Sequence, residues 1–174
     1  MAGEDVPSVV LVAVDNTVLE HLVQAATSEA AADEVTPALT AGRSWTPTRI
    51  AWLRDFHRDR RAGLAGPSGE ATWAVIIDGR VVGSVRLKRT QEHGVLEIGV
   101  WLTRGARGSG VGRAATAAVL REAAATEASA VQANTTVGNA GALAVLNRLG
   151  FDLGSSDHAH HIRALLLLGP ESIR

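Results

Sequence analysis

Trp101-Leu102-Thr103-Arg104-Gly105-Ala106-Arg107-Gly108-Ser109-Gly110-Val111-Gly112-Arg113 joins two segments of different character. The apolar run Val95 to Leu102 enters it as a strand, and the alanine-rich run Ala114 to Ala128 leaves it as a helix. The glycines therefore sit where a strand gives way to a helix N-terminus. Glycine lets the main chain take conformations that other residues resist, and it lets a ligand approach the backbone closely. The first N–H groups of a helix have no internal acceptor and point, with the positive end of the macrodipole, at whatever lies above them. Arg104, Arg107 and Arg113 add cationic side chains to the same junction. A phosphate or pyrophosphate suits this chemistry.

Two familiar phosphate loops are excluded by what is missing. A dinucleotide fingerprint G-x-G-x-x-G needs a third glycine where Arg113 follows Gly108 and Gly110, and a P-loop needs a lysine and a hydroxyl that are absent. The pattern present is R-x-x-G-x-G, read as Arg107, Gly110 and Gly112. Downstream, Asn139-Ala140-Gly141-Ala142-Leu143-Ala144-Val145-Leu146-Asn147-Arg148-Leu149-Gly150-Phe151 reads as a helix capped by Asn139 and stopped by Gly150. Together these two motifs resemble the acyl-CoA pyrophosphate loop and the N-x-x-[AS]…GF helix of the GNAT superfamily of N-acyltransferases.

Working outward, Ser8 to Val14 reads as a strand, and Asp15-Asn16-Thr17 caps a helix to about Glu29 with Val18, Leu19, Leu22, Val23 and Ala26 on one face. Ala30 to Arg43 is small and polar with Pro37, and reads as an irregular or partly helical excursion. Thr46-Pro47 then opens a helix that presents Ile50, Leu53 and Phe56. Leu64 to Gly69 is a linker. Asp78-Gly79 between Ala71–Ile77 and Arg80–Arg89 specifies a tight hairpin, and Gln91 to Gly94 turns into the strand Val95 to Leu102. A helix Ala114 to Glu127, a parallel strand Val131 to Val137, the Asn139 helix, and closing strands Phe151 to Ser156 and Ile162 to Leu168 complete the order. The predicted fold is α+β, an α/β/α sandwich on a mixed, mainly antiparallel sheet, β-α-α-β-β-β-α-β-α-β-β. It resembles the GNAT fold over almost the whole chain.

Composition narrows the class. The 174 residues suit one domain, 1–174, with 8–70 carrying the first strand and substrate-capping helices, 71–137 the hairpin and loop, and 138–174 the last helix and strands. With 46% hydrophobic and 20% charged residues and a net charge of −1, the chain has no global electrostatic reason to bind nucleic acid or an anionic membrane. It contains no cysteine, which excludes a covalent acyl-cysteine mechanism. No signal-peptide pattern and no long apolar stretch is found, so a cytoplasmic protein is expected. A homodimer is a possible assembly.

Acyl transfer needs a bound thioester, a polarised carbonyl and a deprotonated amine. The resemblance implies acetyl-CoA as donor, its pyrophosphate on Arg107, Gly108, Ser109, Gly110, Val111, Gly112 and Arg113. It also implies that its pantetheine lies on the main chain of Val100, Trp101 and Leu102 and against Asn139 and Ala142. Glu97 is the only carboxylate in its strand and is the base candidate, the alternative being a solvent-facing glutamate. The Glu-Ile-Gly-x-Trp-Leu pattern from Glu97 resembles the branch that acetylates ribosomal-protein N-termini (RimJ/RimL-like), where a glutamate here assists catalysis. The family's usual acids are missing: Leu146 holds the tyrosine position and Ala142 the serine position. Water or a backbone N–H, a substitute such as Ser109, Asn139 or a histidine, or CoA binding without efficient turnover each account for that. Asp33 and Trp45 are the substrate-side candidates, among acids that include Glu34 and Asp55. His158, His160 and His161 lack matching ligand spacing, and no metal is expected. The acceptor is a small-molecule amine or a peptide N-terminus. An aminoglycoside-type acetyltransferase and a non-catalytic acyl-CoA-binding module are the alternatives.

Overall fold

The computed structural model describes residues 5–169, so the expected domain limits 1 and 174 lie outside the described residues. In chain order the elements are β1 (Val10–Ala13), α1 (Asn16–Glu29), α2 (Ala32–Val35), α3 (Pro47–Asp59), β2 (Glu70–Ile77), β3 (Arg80–Arg89), β4 (Val95–Leu102), α4 (Val111–Ala124), β5 (Ala130–Thr136), α5 (Ala140–Arg148), β6 (Asp152–Ser155) and β7 (His161–Leu167). The seven strands form one sheet in the order β1-β2-β3-β4-β5-β7-β6, in which only the β4–β5 pair is parallel. This is the mixed, mainly antiparallel α+β architecture expected from the sequence. No helix among the described residues is long and apolar enough to cross a membrane.

Local chemistry explains most boundaries. Asp15 accepts the Val18 N–H at 2.8 Å and starts α1, Thr46 accepts the Arg49 N–H at 3.3 Å and starts α3, and Asn139 accepts the Ala142 N–H at 3.1 Å and starts α5. Asp78 and Gly79 have φ of 48° and 74°, the left-handed pair that a two-residue hairpin needs to match strand twist. Gly150 leaves α5 at φ 86°.

Period-two alternation divides the sheet into two faces. Val75, Val85, Leu87, Ile98 and Val131 point one way and bury against α4 and α5, with Val119, Leu146 and Phe151. Ala74 and Trp101 point the other way, against Leu19, Leu22 and Leu53 of α1 and α3, with Trp45 and Trp52 at the margin.

The helical part of the segment after α1 is the one-turn helix α2, in which Glu34 reaches back to the Ala31 N–H at 3.1 Å. Three expectations need correction. The strand β1 is shorter than Ser8 to Val14. The helix α4 begins at Val111 rather than Ala114, since Gly110 takes φ 82° and turns the chain straight into the helix. Finally, Leu53 and Ile50 of the expected α3 face do pack on the core, but the most deeply buried side chains of α3 are Arg49, Leu53 and His57, and Phe56 is half-buried and stacks on Trp52 at 4.8 Å. Arg49 is 1% exposed and donates to the Thr40 and Gly42 carbonyls at 2.8 and 2.9 Å, so a charged side chain anchors the stretch between α2 and α3.

The feature that positions the site is a parting of the sheet. β4 and β5 pair only from Val95–Ala130 to Ile98–Ala133. Beyond that point β4 stays bonded to β3 as far as Leu102, and β5 stays bonded to β7 as far as Thr136. Their facing edges diverge and leave main-chain donors and acceptors turned towards the gap.

Candidate functional site

The gap opens into a cleft of about 1190 Å3. Gly99, Val100, Trp101 and Leu102 form one wall, and Asn134, Thr135 and Thr136 the other. The Arg107–Gly110 loop with Gly112 and Arg113 closes one end, and Asn139, Ala142, Val145, Leu146 and Arg148 of α5 flank it. Val100 is 38% exposed, an apolar side chain on the cleft lining rather than in the core.

The glycine loop is an anion nest. Gly108 and Gly110 take φ of 77° and 82°, and alternation into left-handed backbone turns successive N–H groups towards one concavity. Among the described residues, the N–H groups of Gly108, Ser109, Gly110, Val111, Gly112 and Arg113 have no acceptor within the fold; the first of α4's region to find one is Ala114, on the Gly110 carbonyl at 3.0 Å. Unpaired N–H groups at a helix start await an anionic ligand or water.

Of the expected cofactor-side residues, Val100, Trp101, Leu102, Arg107, Gly108, Ser109, Gly110, Gly112, Arg113, Asn139 and Ala142 all line the cleft. Val111 does not: its side chain is 3% exposed in the core, which leaves only its N–H to the nest. Arg104 is also away from the cleft lining. Arg107 is already committed, since its guanidinium donates to the Leu102 carbonyl at 3.1 and 3.0 Å and pairs with Glu34 at 2.9 Å. That hydrogen bond holds the Glu34 carboxyl below the ordinary carboxylate range, against the opposing effect of burial. Arg107 thus shapes the wall of the cleft, while Arg113 and Arg148 are the cations on its lining without a carboxylate partner among the described residues. Sequence reasoning missed Arg148, Thr116 and the β5 wall; the Lys/Arg content of a last helical turn was the available signal for Arg148.

Glu97 lies on β4 just before the parting, on the sheet face opposite α4. Both carboxylate oxygens are engaged: Oε1 accepts from Arg86 at 3.1 Å, and Oε2 accepts from Gln132 at 3.1 Å and Asn134 at 2.9 Å. Arg86 also stands 3.6 Å from Glu70, which Arg60 holds at 2.9 Å. Glu97 is 19% exposed in its side chain and so is neither sealed nor free in solvent.

The substrate-side candidates are not brought to the cleft. Asp33 pairs with Arg43 at 3.0 Å in an exposed position, and its neighbour Glu34 takes the place on the lining. The Trp45 indole N–H donates to the Ala30 carbonyl at 2.9 Å, and the ring packs with Trp101 against the α1–α3 core. Leu146 lines the cleft with an aliphatic side chain, and Ser109 spends its hydroxyl on the Ala106 carbonyl at 3.2 Å. His158, His160 and His161 are exposed, the first and last edge-on at 6.2 Å, and no metal-binding group assembles among the described residues.

A sheet that parts beside a loop of unpaired N–H groups defines the class: an α+β domain with an elongated cleft, one end of which suits an anion. Residues 20–151 match the Acetyltransferase (GNAT) family, and the chain belongs to that family. No curated protein sequence matches it. Among solved structures, RimL, a ribosomal-protein α-N-acetyltransferase in complex with coenzyme A, superposes with a TM-score of 0.72 at 15% identity, covering 92% of this chain and 94% of that one. RimJ from Mycobacterium smegmatis, in complex with a CoA-disulfide, gives 0.70 at 18%, covering 91% and 81%. A chimera of the spermidine N-acetyltransferase SpeG from Vibrio cholerae and hSSAT gives 0.68 at 13%, covering 92% and 95%. At these identities the likenesses establish the fold.

Proposed function

We propose that this protein transfers an acetyl group from acetyl-CoA to a primary amine by direct attack within a ternary complex. The observation that carries the reading is the run of unpaired N–H groups from Gly108 to Arg113 beside the parted β4 and β5 edges. The loop N–H groups, Arg113 and Arg148 hold the pyrophosphate, and the free main-chain edge of Val100 to Leu102 holds the pantetheine amides, with Asn139 and Ala142 along the lower arm. The donor supplies a thioester carbonyl carbon as electrophile and a thiolate as leaving group.

Glu97 takes the proton of the attacking amine as the N–C bond forms and the C–S bond breaks. A carboxylate offers about four acceptor positions, and those on Oε2 are filled by Gln132 and Asn134, which leaves a position on Oε1 beside Arg86. The sulfur, facing Leu146 and Ala142, takes its proton from water or leaves as thiolate. The acceptor is an α-amino terminus, as for RimL, or a small amine, as for the spermidine enzyme.

Leu146 at the usual acid position favours a second reading, a module that binds acyl-CoA without turning it over. One experiment separates the two. Glu97→Gln is expected to lower CoA release at least about tenfold, the effect of losing a general base, with the Kd of acetyl-CoA unchanged. A variant with wild-type turnover removes Glu97 from the mechanism; a wild-type protein that binds acetyl-CoA and acetylates no amine in a broad screen establishes the binding module.

A further inference from the structure

Asn134 and Gln132 both hold Glu97, yet their amides end differently. Gln132 donates to Glu97 through Nε2 and accepts from Arg163 Nε at 3.0 Å through Oε1, so both ends are used inside the sheet face. Asn134 donates to Glu97 through Nδ2 at 2.9 Å, and its Oδ1 has no donor among the described residues. That amide orientation is imposed by chemistry, because a carboxylate presents only acceptors. Asn134 is exposed and lines the cleft, whereas Glu97 and Gln132 do not. An unused carbonyl oxygen therefore stands on the cleft wall, on the very side chain that touches the base.

We propose that Asn134 orients the acceptor: its Oδ1 takes one N–H of the amine while the open position on Glu97 Oε1 takes another. This rests on the reading of Glu97 as the base. A neutral primary amine has two N–H bonds and one lone pair; with both N–H bonds fixed on adjacent acceptors, the lone pair has a single direction left. A secondary amine has one N–H and leaves one of the two acceptors unmet. The pair Asn134–Glu97 thus selects primary amines by hydrogen bonding, in addition to any steric effect.

The test uses n-butylamine and N-methylbutylamine as simple probe acceptors, with acetyl-CoA as donor and free CoA thiol as readout. Asn134→Leu keeps the branched outline of the side chain and removes both the Oδ1 acceptor and the donor to Glu97, the latter loss being matched by the Gln132→Leu control. It is expected to lower kcat/KM for n-butylamine by about tenfold, the rate equivalent of one hydrogen bond, and to bring the two amines close together, with CoA affinity unchanged. Gln132→Leu is expected to slow both amines alike and keep their ratio, since Gln132 only supports Glu97. Should the leucine variant lose CoA binding, Asn134→Ala repeats the comparison. An Asn134 variant that keeps the wild-type amine ratio, or a wild-type protein that does not favour the primary amine, overturns the proposal. Wild-type rates in Glu97→Gln would instead sink the base assignment, and the amine ratio would still report on Asn134.

Discussion

His57 shows how far one side chain departs from the surface behaviour its type suggests. It is 1% exposed, and its Nδ1 lies 3.0 Å from the Thr72 hydroxyl. Burial, then the charge of Arg60, pushes its pKa down from 6.5 to about 4. The unfolded chain therefore binds a proton that the folded one refuses as pH falls from about 6.5 towards 4, and stability drops over that window by on the order of 3 kcal/mol. Urea titrations at pH 7 and pH 4.5 are expected to show a falling midpoint that His57→Gln flattens. Glu70 acts in a separate, lower window. Burial pushes its pKa up, but the Arg60 hydrogen bond and the charges of Arg60, Arg86 and Lys88 together bring it below 4.5. Its contribution is present above 4.5 and is lost as pH falls through its folded value. At this scale the sequence singled out Glu97 as the base candidate, because a lone carboxylate in an apolar strand is conspicuous. It did not reveal Asn134, and it named Glu34 only beside Asp33 and Asp55, because such neighbours look equally eligible until side chains acquire directions.

At the scale of the element, the loop between β4 and α4 holds the run of unpaired N–H groups, and its glycines are not equivalent. Gly110 sits at φ 82°, with the Pro7 ring 3.5 Å from where a Cβ would lie. Gly112 needs no left-handed backbone, and a Cβ there would meet Leu102 and Val145 at ordinary distances of 3.6 and 3.8 Å. Gly110→Ala is therefore expected to cost about 1 kcal/mol in backbone strain and to misalign the N–H groups of the nest. Calorimetric titration with acetyl-CoA checks this: binding is expected to weaken about tenfold, the loss of one charge-assisted hydrogen bond. Unchanged affinity would mean that the loop N–H groups do not face the pyrophosphate. This element was readable in advance because glycine spacing and a helix start are local properties. The one-turn helix α2 was readable only as part of an irregular or partly helical excursion, since its position depends on a single Glu34 side chain returning to the Ala31 N–H.

For the whole molecule, a ligand spanning β4, α4, β5 and α5 stabilises every element it touches. Acetyl-CoA at about 100 times its Kd adds roughly 2.7 kcal/mol, a rise in Tm of about 5–10 °C for a domain of this size. NAD and free adenine nucleotides are expected to give less, because they do not fill the pantetheine wall. No rise at millimolar acetyl-CoA would make the glycine loop structural and remove the acetyltransferase reading of the site. The sequence by itself determined the helix caps, the Asp78-Gly79 hairpin, the glycine loop and the strand-helix order, all of which rest on local dihedral preferences and on apolar periodicity. Only the tertiary structure decided where β4 leaves β5, that Arg107 turns to Leu102 and Glu34, and that Asn134 meets Glu97 across 37 residues of chain. The parting and the Asn134–Glu97 contact follow from strand register, which is set by the packing of the whole sheet against its helices rather than by any one segment, and the Arg107–Glu34 pair follows from α2 being folded back beside the loop.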